Sequence, residues 1–565
     1  MSDYLILGGG SAGCVLAARL SEDSRTRVTL VEAGRDVTLD TMPRTMASRY
    51  PGRAYLDPMN IWQALIARIA APRGNVGEQA KRRYEQGRVL GGGSAINAMV
   101  ANRGAPGDYD EWGEAGAEGW CWDACLPYFR KLERDVDFDG EFHGRHGPIP
   151  VRRLADTAMS PFARAVWDVL QARGHAVRPD QNAAWQDGLF SSAMAVSDAG
   201  QRVPTSIAYL TPEVRRRPNL AIVTDHLVDR IVLDGRRATG AVIVPVDGGA
   251  SETLSAGTVI VSAGAIHSAA LLMRSGIGPG EALRRVGIDV ALDRRGVGQN
   301  LMEHPLAAVS AYLPRSSRLS DLDEHNDHGT LRFSSGLGGA PEGDMHMAII
   351  ARSAWHAVGQ RIGTLLTWVN KSYSRGSVVL ASADPYREPD VDFRLLSDWR
   401  DMERLKTGFR LCAATLTDPL MARQSGTAFP TSYSPRVAKL AAPGLANAVQ
   451  RGLFGAMLDG SGSARPLLVH GLVTRGVRLD HLLDDDAALA AFLADAVSGV
   501  WHASGTCRMG APSDPMAVTD GSGRVIGIEN LAVCDASLMP TMPRANINTP
   551  TVMMAERIAD LMKAA

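Results

Sequence analysis

The chain is 565 residues long, more than one hydrophobic core ordinarily supports, so two packed domains are expected. Its composition is 45% hydrophobic and 21% charged, with a formal net charge of -1 and no long run of Lys or Arg, which argues against a nucleic-acid or anionic-membrane surface and for a neutral or weakly polar small-molecule partner. No apolar run reaches the roughly 18 residues of a membrane span, no leader-like segment precedes the first strand, and six scattered cysteines without a second Cys/His pair near Cys121 and Cys125 form neither a disulfide framework nor a zinc site. A cytoplasmic protein with reduced thiols and no metal is expected.

Taken in chain order, the first strand-like run is Tyr4–Leu7. Gly8, Gly10 and Gly13 follow as G-x-G-x-x-G, and a helical period begins at Cys14. The first glycine permits the tight turn, the second lets backbone approach a pyrophosphate, and the third lets helix and strand pack closely. The helix N-terminus then offers free N–H groups to phosphates. A second strand, Val28–Val31, ends at Glu32, placed to accept from an adenosine ribose hydroxyl and to repel a 2′-phosphate. Further strand-like runs fall at Leu220–Val223, Ile231–Leu233, Val259–Ser262 and Leu531–Cys534, with a helical period at Ser268–Met273. This alternation predicts an α/β protein with a Rossmann-like, mostly parallel sheet covered by helices. Segments 151–214 and 306–494 lack cofactor-type motifs and carry alternating runs such as Gly363–Val369 and Ser377–Ala381. They read as an α+β substrate-binding domain on an antiparallel sheet, interleaved with a discontinuous cofactor domain of residues 1–150, 215–305 and 495–565.

The same N-terminal residues support a rival. Gly9-Gly10-Ser11-Ala12-Gly13 also fits G-x-S-x-G, the nucleophile elbow of a serine hydrolase, with Ser11 as nucleophile and His502 as base. An elbow at residue 11 leaves no room upstream for the strands and oxyanion loop such an enzyme needs. Within the dinucleotide reading, a single fingerprint favours flavin over a dissociable nicotinamide, because the bound cofactor must itself collect the electrons. Near the C-terminus, Asp535 ends a strand where it could bond a ribityl chain, and Thr549-Pro550 reads as the N-cap and first turn of a helix from Thr551 to Met562.

Gly87-Arg88-Val89-Leu90-Gly91-Gly92-Gly93-Ser94 with Ile96-Asn97 resembles the first signature of the glucose–methanol–choline oxidoreductases, and Gly264-Ala265-Ile266-His267-Ser268 with Ser275–Gly278 resembles the second. Ala269 departs from the proline usual there. Gly296–Leu301 with His304, and Asp108–Phe129, also match, so the resemblance spans nearly the whole chain. It implies an FAD enzyme that oxidises alcohols by hydride transfer. Cofactor contacts are implied for Gly8, Gly10, Ser11, Ala12, Gly13, Glu32 and Ala33, and for Arg88, Gly91, Gly92, Asn97, Ala98, Met99 and Val100. Val228, Asp535, Ala536, Asn548, Thr549 and Pro550 complete the implied set. Ile96 stands where some relatives attach FAD through a histidine, so non-covalent FAD is expected.

Trp501–Cys507 resembles the segment carrying the family's catalytic histidine, here His502, and Asn546–Thr551 resembles the segment carrying its partner, assigned to Asn548 because it directly precedes Thr549-Pro550-Thr551. Trp368–Lys371 and Arg544–Asn548 are similar to family members that act on furanic and benzylic alcohols. Trp501, Trp368 and Met99 are the expected substrate-pocket residues. The implied activity is oxidation of furanic, benzylic or other activated primary alcohols, with hydrated aldehydes as further substrates and dioxygen reduced to hydrogen peroxide. An alcohol dehydrogenase passing electrons to a quinone is the alternative.

Overall fold

The computed structural model of the chain describes residues 1–71, 81–154, 158–321, 323–432 and 444–564. The first sheet carries the N-terminal fingerprint. Its strands run in the order His226–Asp234, Arg237–Pro245, Glu252–Val261, Ser2–Leu7, Val28–Val31 and Leu220–Val223, with Leu531–Val533 joined to the end of Glu252–Val261. The four strands from Glu252–Val261 to Leu220–Val223, and Leu531–Val533, pair in parallel, whereas His226–Asp234 and Arg237–Pro245 form an antiparallel extension. Leu5, Ile6 and Leu7 are wholly buried, as expected for a parallel sheet covered on both faces. Each such side chain contributes roughly 2 kcal/mol relative to exposure.

Helix Ser11–Leu20 follows the glycine turn and packs against the C-terminal helix Asn548–Ala564. Arg19 forks onto the fully buried Glu556, which also accepts from Tyr209 Oη at 2.8 Å and pairs with Lys131 at 3.1 Å. That network docks the last helix beside the first. The helix begins one residue before the expected N-cap: Asn548 is already helical, and Thr551 N–H donates to the Ile547 carbonyl at 3.0 Å. Thr549 therefore lies inside the first turn rather than capping it.

The second sheet is wholly antiparallel, in the order Ala428–Thr431, Leu306–Tyr312, Ile362–Val369, Met345–Ile350, Asp327–Phe333 and Gly188–Phe190. One face packs on helix Trp399–Leu416 through Leu405, Phe409 and Cys412. Gly408 allows this, since a Cβ there would lie 2.4 Å from Thr367 Oγ1. The other face is the floor of a cavity. Two sheets cross the boundaries expected from sequence. Ile149–Arg153 pairs with both Glu133–Asp135 and Ala193–Met194, and a four-stranded sheet joins Ser377–Val379 and Asp390–Leu395 to Ile66–Ala70 and Lys81–Arg83. Backbone hydrogen bonds thus run straight through residue 150, which composition alone could not reveal.

Candidate active site

A single cavity of about 1330 Å³ runs from the glycine fingerprint to the face of the antiparallel sheet. At the fingerprint end the glycines are sterically required. A Cβ on Gly8, whose φ is +115°, would lie 2.4 Å from the Ser262 carbonyl oxygen, and one on Gly13 would lie 2.0 Å from the Gly8 carbonyl oxygen. Gly92 (φ +51°) brings the 87–94 loop onto the same turn, where a Cβ would sit 2.8 Å from Gly10 Cα. Gly10 precedes the helix without any side-chain cap, leaving N–H groups for a phosphate. Glu32 is buried and accepts from Gly9 N–H at 2.8 Å and Gly34 N–H at 2.7 Å. Burial raises its pKa, opposed by those two bonds. The residues fit an adenine dinucleotide.

Of the residues expected from sequence to touch the cofactor, Gly8, Gly10, Ser11, Ala12, Glu32, Ala33, Arg88 and Gly92 line the cavity. So do Asn97, Ala98, Met99, Val100, Val228, Asp535, Ala536 and Asn548. Gly13, Gly91, Thr549 and Pro550 do not line it. Asp535 is more occupied than expected: its carboxylate accepts from Gly264 N–H, Ser268 Oγ and Ser537 N–H at 2.8, 2.5 and 2.8 Å, tying the start of helix Gly264–Arg274 to the 536–538 turn. Among the described residues Ser11 Oγ hydrogen-bonds Asn548 Oδ1 at 3.5 Å and no imidazole, which removes the elbow arrangement a serine hydrolase requires.

His502 sits further along the cavity on a bulge. Segments 302–306 and 498–504 run antiparallel, clamped at Met302–Ser504 and at Leu306–Ser498. Between the clamps, Trp501 adopts a left-handed φ of +63° that only strong local restraint keeps in a non-glycine residue. Glu303 supplies the restraint. It is 1% exposed, and its carboxylate accepts from His502 N–H at 2.7 Å, His304 N–H at 2.7 Å, Val500 N–H at 3.3 Å and Tyr84 Oη. Tyr84 Oη in turn accepts from Ala503 N–H. Burial pushes the Glu303 carboxyl up to about 7 against those donors.

The His502 ring lies between two partners. Asn546 Nδ2 is 3.2 Å from its Nε2, and His304 Nδ1 is 2.8 Å from its Nδ1. An amide nitrogen only donates, so Nε2 of His502 carries the lone pair and Nδ1 carries the proton, which His304 Nδ1 accepts. Burial, then the neighbouring His304 and His346, holds His502 well below the ordinary histidine pKa; burial brings His304 down to about 4. Both rings are neutral at pH 7. The sequence-based partner is thus displaced by two positions: Asn548 faces Ser11, and Asn546 faces His502. Chain entry into the helix at residue 548 turns the two asparagines apart.

Both tryptophans line the cavity. Trp368 is buried and stacks on His346 at 4.2 Å; Trp501 is 43% exposed at the rim, donating to Glu85 Oε2 at 3.0 Å and stacking on Tyr55. Met99 is buried on the wall.

Family models described as GMC oxidoreductase match residues 2–306 and 372–555. The chain belongs to this family. A relative named 5-(hydroxymethyl)furfural oxidase, from Methylovorus sp. (strain MP688), is 40% identical over 99% of this chain and 98% of its own. An oxygen-dependent choline dehydrogenase of Vibrio vulnificus (strain YJ016) is 32% identical over 99% of this chain and 94% of its own. Among solved structures, pyridoxine 4-oxidase from Mesorbium loti superposes with a TM-score of 0.81 at 27% identity, covering both chains fully. The mixed parallel and antiparallel architecture expected from sequence is the GMC oxidoreductase fold. Sequence reasoning missed Asn546 as the partner of His502, and missed Glu303, Tyr84 and His346 altogether. The motif Glu303-His304-Pro305 was the available signal, but its role depends on a contact across 199 residues.

Proposed function

We propose that this GMC oxidoreductase binds FAD non-covalently and oxidises primary furanic and aryl alcohols, with dioxygen reduced to hydrogen peroxide. The observation that carries the reading is the lone pair of His502 Nε2, which meets the Asn546 amide at the cavity while the Nδ1 contact with His304 keeps the ring's proton on the other side. Residues 1–150, 215–305 and 495–565 are assigned to FAD, and 151–214 and 306–494 to substrate. Ile96 offers no nucleophile for covalent attachment. Free cysteines accord with a cytoplasmic location.

In this mechanism the substrate hydroxyl enters between His502 and Asn546. The Asn546 amide donates to its oxygen, and Nε2 accepts its proton. His304 keeps the other His502 proton on Nδ1, so the base is always presented on the cavity side. FAD held along the Gly8–Ala12 turn, Glu32 and Asn97 would supply the two-electron acceptor for the hydride leaving the carbinol carbon. An alcohol is roughly seven or more pKa units weaker as an acid than an ordinary histidine, so a free alkoxide costs on the order of 10 kcal/mol. Burial of His502 widens that gap. Proton loss therefore accompanies departure of the hydride instead of preceding it.

The test is direct. Purified protein should be yellow, release flavin on denaturation, and form peroxide in air with furanic, benzylic and pyridinic methanols. Flavin reduction without peroxide, but with turnover on an added quinone, assigns the dehydrogenase alternative. A colourless protein that hydrolyses esters refutes both.

A further inference from the structure

The register of the antiparallel sheet sorts the cavity floor into rows. Leu306 pairs with Trp368, Ala308 with Leu366, and Ser310 with Thr364, and all six side chains face the cavity. Trp368 stacks on His346, one of the groups acting on His502, so the first row adjoins the base. Thr364 is four residues further along the same strand, or about 13 Å away at the rise of a β-strand. The floor is aromatic near the base, aliphatic in the middle and hydroxylic at the far end.

The far hydroxyls form a directed chain. Thr431 Oγ1 donates to Ser310 Oγ at 2.6 Å, and Ser353 Oγ donates to the Ile362 carbonyl at 2.9 Å. Between them Ser310 and Thr364 lie 2.7 Å apart, and Thr364 and Ser353 2.5 Å apart. A hydroxyl has one proton. In the arrangement that keeps the Ser353–carbonyl bond, Thr364 donates to Ser353 and Ser310 to Thr364. Every proton of the ladder is used, and only acceptor lone pairs remain for a ligand.

We propose that this ladder is a subsite for the remote end of the alcohol substrate and selects an O–H or N–H donor there. The favoured substrate class is an elongated aryl- or furan-methanol that reaches along the floor from the row beside the base to the ladder, about 13 Å from Trp368 to Thr364, and carries a hydroxyl or an N–H at that far end. A carbonyl, ether or carboxylate at that end would bring acceptor against acceptor, leaving both desolvated and unpaired. The inference rests on the alcohol-oxidising reading above and goes beyond it in substrate class.

The experiment compares, on the holoenzyme, an arylmethanol bearing a remote phenol at that reach with its methyl ether; the phenol cannot itself lose hydride. The subsite predicts kcat/KM roughly 3- to 10-fold higher for the phenol. In Thr364→Val, Ser310 loses its acceptor and turns its proton to the cavity, so the preference should fall to parity or reverse in favour of the ether. Ser310→Ala, which frees the Thr431 proton, should do the same if Thr364→Val does not fold; flavin absorbance reports folding. Equal kcat/KM for phenol and ether in the wild type, with benzyl alcohol still oxidised, overturns the subsite and leaves the activity standing. Failure of benzyl alcohol and both probes to reduce the flavin overturns the activity and the subsite together.

Discussion

The Nδ1 atoms of His304 and His502 lie 2.8 Å apart, with the two rings nearly perpendicular at 87°. This contact fixes which nitrogen of His502 faces the cavity, and it gains strength when His502 takes up a proton. His304→Leu should therefore lower the flavin-reduction rate more than it raises KM. A hydrogen bond to a group that becomes charged is worth about 1.5–3 kcal/mol, or roughly 10- to 100-fold. Stopped-flow reduction under nitrogen reads it, and an unchanged rate would remove His304 from the mechanism.

The two asparagines of the Asn546-Ile547-Asn548 segment should separate by function. Asn546→Ala takes away the amide beside His502 Nε2 and should cut kcat/KM by roughly 10- to 100-fold while flavin stays bound. Asn548→Ala touches the Ser11 side and should show instead in flavin retention. Flavin content and single-turnover rates measured on both variants distinguish them; the reverse pattern restores the sequence-based assignment.

Gly92→Ala places a methyl 2.8 Å from Gly10 Cα at a left-handed φ of +51°, pressing the 87–94 loop off the phosphate turn. Protein lacking most of its flavin is the expected product, measured as the ratio of visible to ultraviolet absorbance. Full flavin loading would show that this close approach is not needed for the cofactor.

A buried ion network offers a pH test away from the site. His143 lies between Glu133, Asp135 and Asp180, with Arg103 and Arg153 on the same carboxylates. Burial opposes its protonation, but hydrogen bonds to Asp135, Asp180 and Glu133 outweigh that and raise its pKa to about 10. Because the folded value lies above the unfolded one, the stabilisation is complete below about pH 6.5 and is lost as pH rises through about 10. The melting temperature should fall between pH 7 and 10, and His143→Gln should flatten that slope. An identical slope in the variant would contradict the assignment.

Much of this was legible in the sequence where the cause is local. Gly8, Gly10, Gly13 and Glu32 occupy fixed offsets in one strand–turn–helix unit, so spacing alone placed them. Most strands of the first sheet announced themselves through apolar runs, though Arg237–Pro245 did not, and of the second sheet's six strands Ile362–Val369 alone showed as an alternating run. The helix start was misplaced by a strong local signal: Thr549-Pro550 looks like a cap, yet Asn548 is drawn into the helix as the Ile547 carbonyl accepts both the N–H and Oγ1 of Thr551. The bulge under His502 is held by Glu303 and Tyr84, residues some 200 and 400 positions away. No periodicity encodes such contacts, and two asparagines two residues apart give no basis for choosing between them until the chain direction is known.

Removal of the His502 imidazole tests its role as the base most directly. Wild type and His502→Ala, both loaded with FAD, should be mixed anaerobically with 5-(hydroxymethyl)furfural or benzyl alcohol while the flavin absorbance is followed. Bleaching should slow by roughly 10²- to 10⁴-fold in the variant at equal flavin content. Bleaching at the wild-type rate would contradict the account.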